Sequence, residues 1–165
     1  MIPLWNAYSF FITYANIDDF TPQGIQKLDH PLDCWVVSSS WRLVEEIDEF
    51  MQQGEIYKAI QSIIQFIDQL NNWYIRRSRR RFWKSDNDND KLNAYETLYF
   101  VLCTLIKVSA PFLPFVTDVM YQNLKTDIDP ESVHLCDWPL SPINARDVDL
   151  ENKMALVMKA VAMGH

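Results

Sequence analysis

The chain has 165 residues, of which 48% are hydrophobic, and it carries a formal net charge of -7. This length suits one domain with a substantial core, and three glycines against eight prolines favour helices over a turn-rich β architecture. The negative charge argues against a protein that binds polyanions over its whole surface, so any contact with nucleic acid must be local.

Residues that carry chemistry are sparse. The three cysteines are widely spaced and form no CxxC pair, so neither a disulfide framework nor a zinc site is indicated, and a reducing, cytoplasmic compartment is expected. The three glycines are too far apart to form a phosphate-binding loop. No apolar run reaches the length of a membrane span, so no membrane partner is expected. The sequence therefore predicts no active site, metal site or cofactor within this chain.

The first half of the chain predicts three helices. Residues 3–15 are apolar on nearly every side of a helix, which predicts a short buried helix, and the loop "NIDDFTPQG" follows. A second helix is expected to begin near Pro31 or Asp33, whose side chain can cap it, and to end at Gly54. The third carries a clear apolar stripe made of Ile56, Ile60, Ile63, Ile67, Leu70 and Tyr74.

The second half begins with a polar run, "KSDNDND" at residues 84–90, which predicts a solvated loop. Asp88 or Asp90 is expected to cap the next helix. That helix is long and apolar until it meets Pro111 and Pro114, each of which removes a backbone amide. The two prolines are therefore expected to kink or break it.

Beyond the prolines, a helical piece is expected over residues 115–124, then an extended stretch, "SVHLCDWP", and a last helix within "DVDLENKMALVMKAVAMGH". The abrupt start in an aromatic segment and the stop after a helical pattern suggest a piece of a longer chain. Together the elements predict an all-α fold class with a Pro-kinked long helix, in a single domain over residues 1–165.

The main candidate for a binding surface is the arginine window, "NNWYIRRSRRRFW" at residues 71–83. Five of the 15 basic residues lie in it, so the positive charge is concentrated within an acidic chain. On an α-helix, three of the arginines and Asn72 lie opposite the isoleucine stripe, whereas the other two lie closer to it. The solvent-facing set is Arg76, Arg79 and Arg80, and the set that leans toward neighbouring helices is Arg77 and Arg81.

Two interpretations of the window remain open from the residues alone. Exposed guanidinium groups fit phosphate oxygens, so the solvent-facing set is predicted to bind a nucleic-acid backbone. The other set is predicted to pair with carboxylates on an adjacent helix, for which residues 45–49 offer an acidic face. The alternative is a structural or protein-interaction bundle whose arginines serve packing alone. A free-standing enzyme is disfavoured because no catalytic constellation is present.

The aromatic residues of the window leave a similar choice. Trp73, Tyr74, Phe82 and Trp83 could be platforms on which bases stack, because every base has a flat face. Aromatic residues at helical spacing nevertheless belong more often to the core of a bundle. The sequence favours the core for this group.

Five further stretches occur in a recognisable order. They are "LWNAYSFFITYANID" at 4–18, "LDCWVVS" at 32–38, "FIDQLNNWYIRRSRRRFW" at 66–83, "AYETLY" with "APFLPFVTDVMYQNL" between 94 and 124, and "ESVHLCDWP" at 131–139. Together they resemble the anticodon-binding domain of isoleucyl-tRNA synthetase, a class I aminoacyl-tRNA synthetase, over essentially the whole chain. The string "NWYIRRSRRRFW" is the most specific, because the related valyl and leucyl enzymes share the bundle but not this string.

The resemblance implies an antiparallel helical bundle of the class Ia anticodon-binding type, which receives the anticodon stem and loop of isoleucine tRNA. It also implies a parent enzyme that joins isoleucine to its tRNA with ATP and Mg, through an aminoacyl-adenylate, and that hydrolyses mischarged valine in a separate editing domain. The family's HIGH and KMSKS sequences and its C-terminal zinc region are absent from this sequence. We therefore expect a fragment with no cofactor of its own, whose partners are the tRNA and the rest of the synthetase chain.

Within this resemblance, the solvent-facing arginines are expected to contact phosphates and so to position the tRNA. Trp83, beside the polar loop, is the candidate for stacking on an anticodon base, and Asn72 and Lys84 could add hydrogen bonds. Two positions depart from the family: Cys34 replaces the usual Arg, which removes a cation, and Asp19 replaces a residue that is often glycine in a loop.

Overall fold

The computed structural model describes residues 2–83 and 88–164, and within these ranges the regular structure is helical, as the sequence predicts. The α-helices are α1 (Ile2–Ile17), α2 (Pro31–Gln52), α3 (Ile56–Gln69), α4 (Arg76–Trp83), α5 (Asn89–Ser109), α6 (Pro114–Leu124) and α7 (Val148–Met163). A π-helical segment, Leu70–Ile75, joins α3 to α4 without a break. In the described part of the chain, no helix combines the length and apolarity needed to cross a membrane.

The core of the bundle forms where α5 packs against α1, α2 and α4. Part of the core is aromatic. The ring of Phe82 on α4 meets that of Tyr95 on α5 edge-on, with 5.0 Å between the ring centroids, and the centroid of the Phe10 ring on α1 lies 5.2 Å from that of Phe82. Such edge-to-face pairs add about 1 kcal/mol each beyond the burial of their surface. These contacts fix the end of α4, which carries the arginines, against the rest of the bundle.

The first helix is less buried than the sequence suggests. Leu4, Phe11 and Ala15 on α1 face the core, but Trp5, within the predicted range, remains 47% exposed. Ile56, the first residue of the predicted stripe on α3, is also more than half exposed. Both helices bury one face rather than every apolar side chain that they carry.

The second helix begins at Pro31, within the predicted range, but its cap is His30 rather than Asp33. The Leu32 amide donates a hydrogen bond to Nδ1 of His30 at 3.2 Å, and Pro31 occupies the first turn, where its missing amide is not needed. Asp33 is 1% exposed and lies inside the bundle. Gly54, just after the helix, has φ +72, the left-handed conformation that glycine adopts most readily.

The prolines break the long helix instead of kinking it. α5 ends at Ser109, whose carbonyl accepts hydrogen bonds from the amides of Phe112 and Leu113 at 3.0 and 2.9 Å. Pro114 then starts α6 in its first turn. The prediction of a Pro-kinked long helix is therefore replaced by two separate helices, because Pro111 and Pro114 follow each other too closely for a helix to resume between them.

The stretch predicted to be extended, residues 132–139, contains a short 3-10 helix, Val133–Leu135. The Asp118 carboxylate on α6 accepts hydrogen bonds from the Ser132 hydroxyl at 2.7 Å and from the Val133 amide at 3.0 Å. These bonds hold the turn against α6 and account for its compact form.

A buried carboxylate attaches the last helix, α7, to α2. Glu151 accepts hydrogen bonds from Nε and Nη2 of Arg146 at 3.1 and 2.8 Å and from the hydroxyl of Ser38 on α2. Burial alone would raise the pKa of Glu151, but the hydrogen bonds from Arg146 and Ser38 outweigh this effect and lower the pKa. The ionised form of Glu151 is thus the one that joins the two helices.

Candidate nucleic-acid interface

The arginine window lies on a helix whose phase changes part of the way along. Leu70 and Tyr74 are buried, and an uninterrupted α-helix would next bury Arg77. The π-helical segment has i→i+5 hydrogen bonds and so places more residues in a turn. The next buried residues are therefore Ile75, which closes the π segment, and Ser78, which is 0% exposed. All of α4 is turned by one residue relative to the phase predicted from the sequence.

Four arginines of the window point outward as a result, and we call them the arginine surface: Arg76, Arg77, Arg79 and Arg80. None of the four forms an ion pair with any residue in the ranges 2–83 and 88–164. The exposure predicted for three of them is confirmed. The prediction that Arg77 leans toward neighbouring helices is wrong, because the phase change moves it outward. An acidic chain thus presents, on one helix of eight residues, four cations that have no ion-pair partner among the described residues.

The fifth arginine is buried and ion-paired. Nη1 and Nη2 of Arg81 donate to the two carboxylate oxygens of Asp33 at 2.7 Å each, and Nε donates to Asp90 at 2.8 Å. Burial would lower the pKa of Arg81, but the hydrogen bonds and charge of Asp33 outweigh it and raise the pKa. The predicted packing role is confirmed, whereas the predicted partners at 45–49 are wrong. One of those acids, Glu45, pairs instead with Arg146 at 2.6 Å.

Tyr74 completes this buried network. Its hydroxyl donates to Asp33 at 2.9 Å, and its ring is 0% exposed, so it belongs to the core. Burial, with the negative charge of Asp33, raises the pKa of Tyr74 well above its ordinary value. The Asp33 carboxylate therefore joins α2 to the π segment and to α4. The sequence predicts only a capping role for Asp33, because its partners in this network are 41 and 48 residues away.

Three other residues of the window, Trp73, Trp83 and Asn72, are at least partly exposed. The guanidinium of Arg77 lies over the ring of Trp73, 4.1 Å from its centroid. Trp83, the last residue of α4, is 55% exposed and is not a core residue. Asn72 is exposed, and its amide donates to Asp68 at 2.7 Å. Lys84 lies outside the residues that the structure describes.

The two positions that depart from the family pattern have clear surroundings. Cys34 is partly buried, and its thiol donates to the carbonyl of Leu28 at 3.3 Å. Burial, together with the charge of the neighbouring Asp33, raises the pKa of the Cys34 thiol. Asp19 has φ 49, in the left-handed region, which explains why glycine suits this loop position.

The two histidines in the described part of the chain, His30 and His134, lie at helix termini. His30 caps α2, as described above, and the ring Nε2 of His134 lies 3.1 Å from the carbonyl of Pro114 at the start of α6. Within the described residues, no three His, Cys, Asp or Glu side chains are grouped so that they could hold a metal ion.

The chain is similar to several known proteins named isoleucine-tRNA ligase. An isoleucine-tRNA ligase from Treponema denticola is 47% identical over 178 residues, which cover 99% of this chain and 16% of that protein. Isoleucine-tRNA ligases from Protochlamydia amoebophila and Dehalococcoides mccartyi are 44% and 47% identical, over 100% and 99% of this chain. The chain spans only 16% and 17% of these two proteins.

The family profile described as the anticodon-binding domain of tRNA ligase matches residues 33–164. This range begins at the buried Asp33, contains the arginine surface and extends to the end of α7. The chain therefore belongs to the family of anticodon-binding domains of tRNA ligases.

Proposed function

We propose that this chain is the region of an isoleucine-tRNA ligase that binds the anticodon stem and loop of isoleucine tRNA. The observation that carries the proposal is the arginine surface, four exposed cations that make no ion pair within the described residues of an acidic chain. Membership of the anticodon-binding family and the name shared by the relatives support it.

Binding would depend chiefly on phosphate contacts. The guanidinium groups of Arg76, Arg79 and Arg80 offer forked donors that match phosphate oxygens, and such contacts fix the position of the RNA without reading its sequence. Trp83 extends the surface with an exposed ring on which an unpaired base can stack. Asn72 and Lys84 stay predicted contacts. The Asn72 amide already donates a hydrogen bond to Asp68 and would have to give it up to bind RNA, and Lys84 lies outside the described residues.

The buried pair below the surface contributes to binding by fixing the orientation of α4. Arg81 is held by two charge-assisted bonds to Asp33 and a third to Asp90, so α4 cannot rotate without breaking them. The outward arginines are thus held in position before RNA arrives, which reduces the entropy lost on binding. The alternative is that the arginines serve packing alone. It fits the buried Arg81, but it does not explain why the other four arginines are exposed.

The parent protein would be a cytoplasmic enzyme that attaches isoleucine to its tRNA with ATP and Mg. Activation of isoleucine, editing of mischarged valine and any structural zinc would belong to parts of the parent outside this chain. The rest of the ligase chain would then be the second partner of this region. Its task would be to hold the anticodon end of the tRNA while the acceptor end reaches the distant active site.

The test is a fluorescence-anisotropy titration of the chain with an isoleucine anticodon stem-loop over a range of salt concentrations. If three or four phosphates are contacted, the plot of log K against log salt should have a slope of about -3. Replacing Arg76, Arg79 and Arg80 with Ala should abolish most of this slope. Undetectable binding at low salt, or binding that does not depend on salt, would refute the proposal.

A matched variant separates local contacts from net charge. Lys27, Lys153 and Lys159 are exposed and lie outside the arginine window, and their replacement with Ala changes the net charge by the same amount. The lysine variant should bind nearly as tightly as the unchanged chain. Equal losses from both triple variants would show a general charge effect and would count against the arginine surface.

A further inference from the structure

One member of the arginine surface differs from the others in its surroundings. The guanidinium of Arg77 lies 4.1 Å from the centroid of the Trp73 ring, and Arg77 is itself exposed. Trp73 is half-buried, so its indole is held by the bundle beneath. Arg76, Arg79 and Arg80 have no ring under them among the described residues. Arg77 alone of the four is supported on one side.

This support changes what the guanidinium can do. A guanidinium is planar, and contact with an aromatic face holds it flat and orders a side chain that would otherwise move freely. One face of the plane is then covered by Trp73, and the other remains open to solvent. Arginine planes and aromatic rings are the two kinds of surface on which unpaired RNA bases stack.

The position of Trp73 inside the π segment is what makes the stack available at the surface. Without the phase change, Arg77 would follow Tyr74 into the core and would meet neighbouring helices. With it, Arg77 lies outward, one turn beyond Trp73 and between the phosphate-binding arginines. Among the described residues, the helix therefore offers one guanidinium supported by an aromatic ring, next to three exposed ones without such support.

We propose that Arg77, backed by Trp73, is a platform on which an unpaired nucleobase of the anticodon loop stacks. This assignment rests on the proposed function and adds to it the residue that contacts a base rather than a phosphate. The base lies on the open face of the guanidinium, while the neighbouring arginines hold the phosphates on either side. Arg77 thus contributes through its plane as well as its charge.

Arg77→Lys is the decisive variant, because lysine keeps the charge and loses the plane. Arg79→Lys is the matched control, since Arg79 is exposed on the same helix and has no ring beneath it. Stacking of one base is worth a factor on the order of 10 in affinity, so Arg77→Lys should weaken binding of the stem-loop about 10-fold. Arg79→Lys should weaken it by less than about threefold, because lysine loses the forked geometry but still binds a phosphate as a point charge.

A second RNA shows whether the loss involves a base. The same stem is closed by a loop of abasic nucleotides, which keeps the phosphates and removes the bases. On this RNA, Arg77→Lys and the unchanged chain should bind equally. Thermal melting of both variants should match that of the unchanged chain, which shows that the fold is intact.

The outcomes distinguish the two proposals. If the unchanged chain fails to bind the stem-loop at low salt, the proposed function and the platform both fall. If the chain binds but Arg77→Lys loses no more than Arg79→Lys, or loses as much on the abasic loop, only the platform is refuted.

Discussion

Replacing Asp33 with Asn tests whether the buried pair beneath the arginine surface holds α2 and α4 together. The Asp33 carboxylate accepts two hydrogen bonds from Arg81 at 2.7 Å and one from Tyr74 at 2.9 Å. Removing one partner of a buried ion pair costs about 3–5 kcal/mol, because the other charge is left uncompensated. Arg81 keeps its contact with the more exposed Asp90, so we expect a loss near the lower limit, about 3 kcal/mol.

Urea denaturation followed by far-UV circular dichroism measures this loss. With a slope of about 2 kcal/mol per molar urea, the midpoint should fall by about 1.5 M. The control is Glu49→Gln, because Glu49 is an exposed acid on the same helix and belongs to the acidic face predicted from the sequence. It should change the free energy of unfolding by less than about 0.5 kcal/mol. A loss below about 1 kcal/mol for Asp33→Asn would refute the assignment.

A double replacement shows that the two charges act on each other. Asp33→Asn leaves the Arg81 guanidinium short of its partner, and Arg81→Met leaves the Asp33 carboxylate without one. When both are replaced, no charge of the pair remains, so the double variant should lose less than the sum of the single losses. Additive losses would mean that each side chain stabilises the bundle through separate contacts.

Three further predictions concern other parts of the chain. Asp19 has φ 49, so Asp19→Gly should raise the free energy of unfolding by about 0.5 kcal/mol in the same urea assay. In the folded chain the pKa of Glu151 lies below its ordinary value of 4.5, so the contribution of Glu151 to the free energy of unfolding is complete above pH 4.5 and is lost as the pH falls through the folded pKa. In urea denaturation at a series of acidic pH values, Glu151→Gln should reduce this fall in stability. Deleting Asn72 should convert the π segment to α-helix and keep Arg81 inward, so the melting temperature should change little. Deleting the exposed Gln65 from α3 instead turns all later residues of the helix by about 100° and should prevent folding.

Features that depend on neighbouring residues could be predicted from the sequence. The Asp88 carboxylate accepts a hydrogen bond from the Lys91 amide at 2.8 Å and caps α5, one of the two caps expected for that helix. The start of α2 at Pro31 and the end near Gly54 follow from the same local chemistry. Each of these outcomes involves atoms within one helical turn, so the residue types alone carry the information.

The role of Asp33 could not be predicted in this way. An acid after a proline at a helix start suits a capping position, and the sequence offers no sign that a different residue, His30, takes that role. Arg81 is 48 residues away, so its pairing with Asp33 depends on how α2 and α4 pack. By charge alone, the acids at 45–49 are equally acceptable partners for Arg81. Only the packing of the helices shows that they lie elsewhere.

The division of labour among the five arginines depends on a phase that the sequence does not display. Arg81 lies two helical turns after Tyr74 and about one turn after Ser78, so it faces inward in an uninterrupted α-helix and also after the phase change. Its burial therefore does not distinguish the two phases. Arg77 does distinguish them, since it is inward in the first and outward in the second. Its exposure is therefore the direct consequence of the π segment, and the contact with Trp73 follows from it. An extrapolated helical phase holds only as far as the helix remains α, and here it fails at the residue that we assign to base stacking.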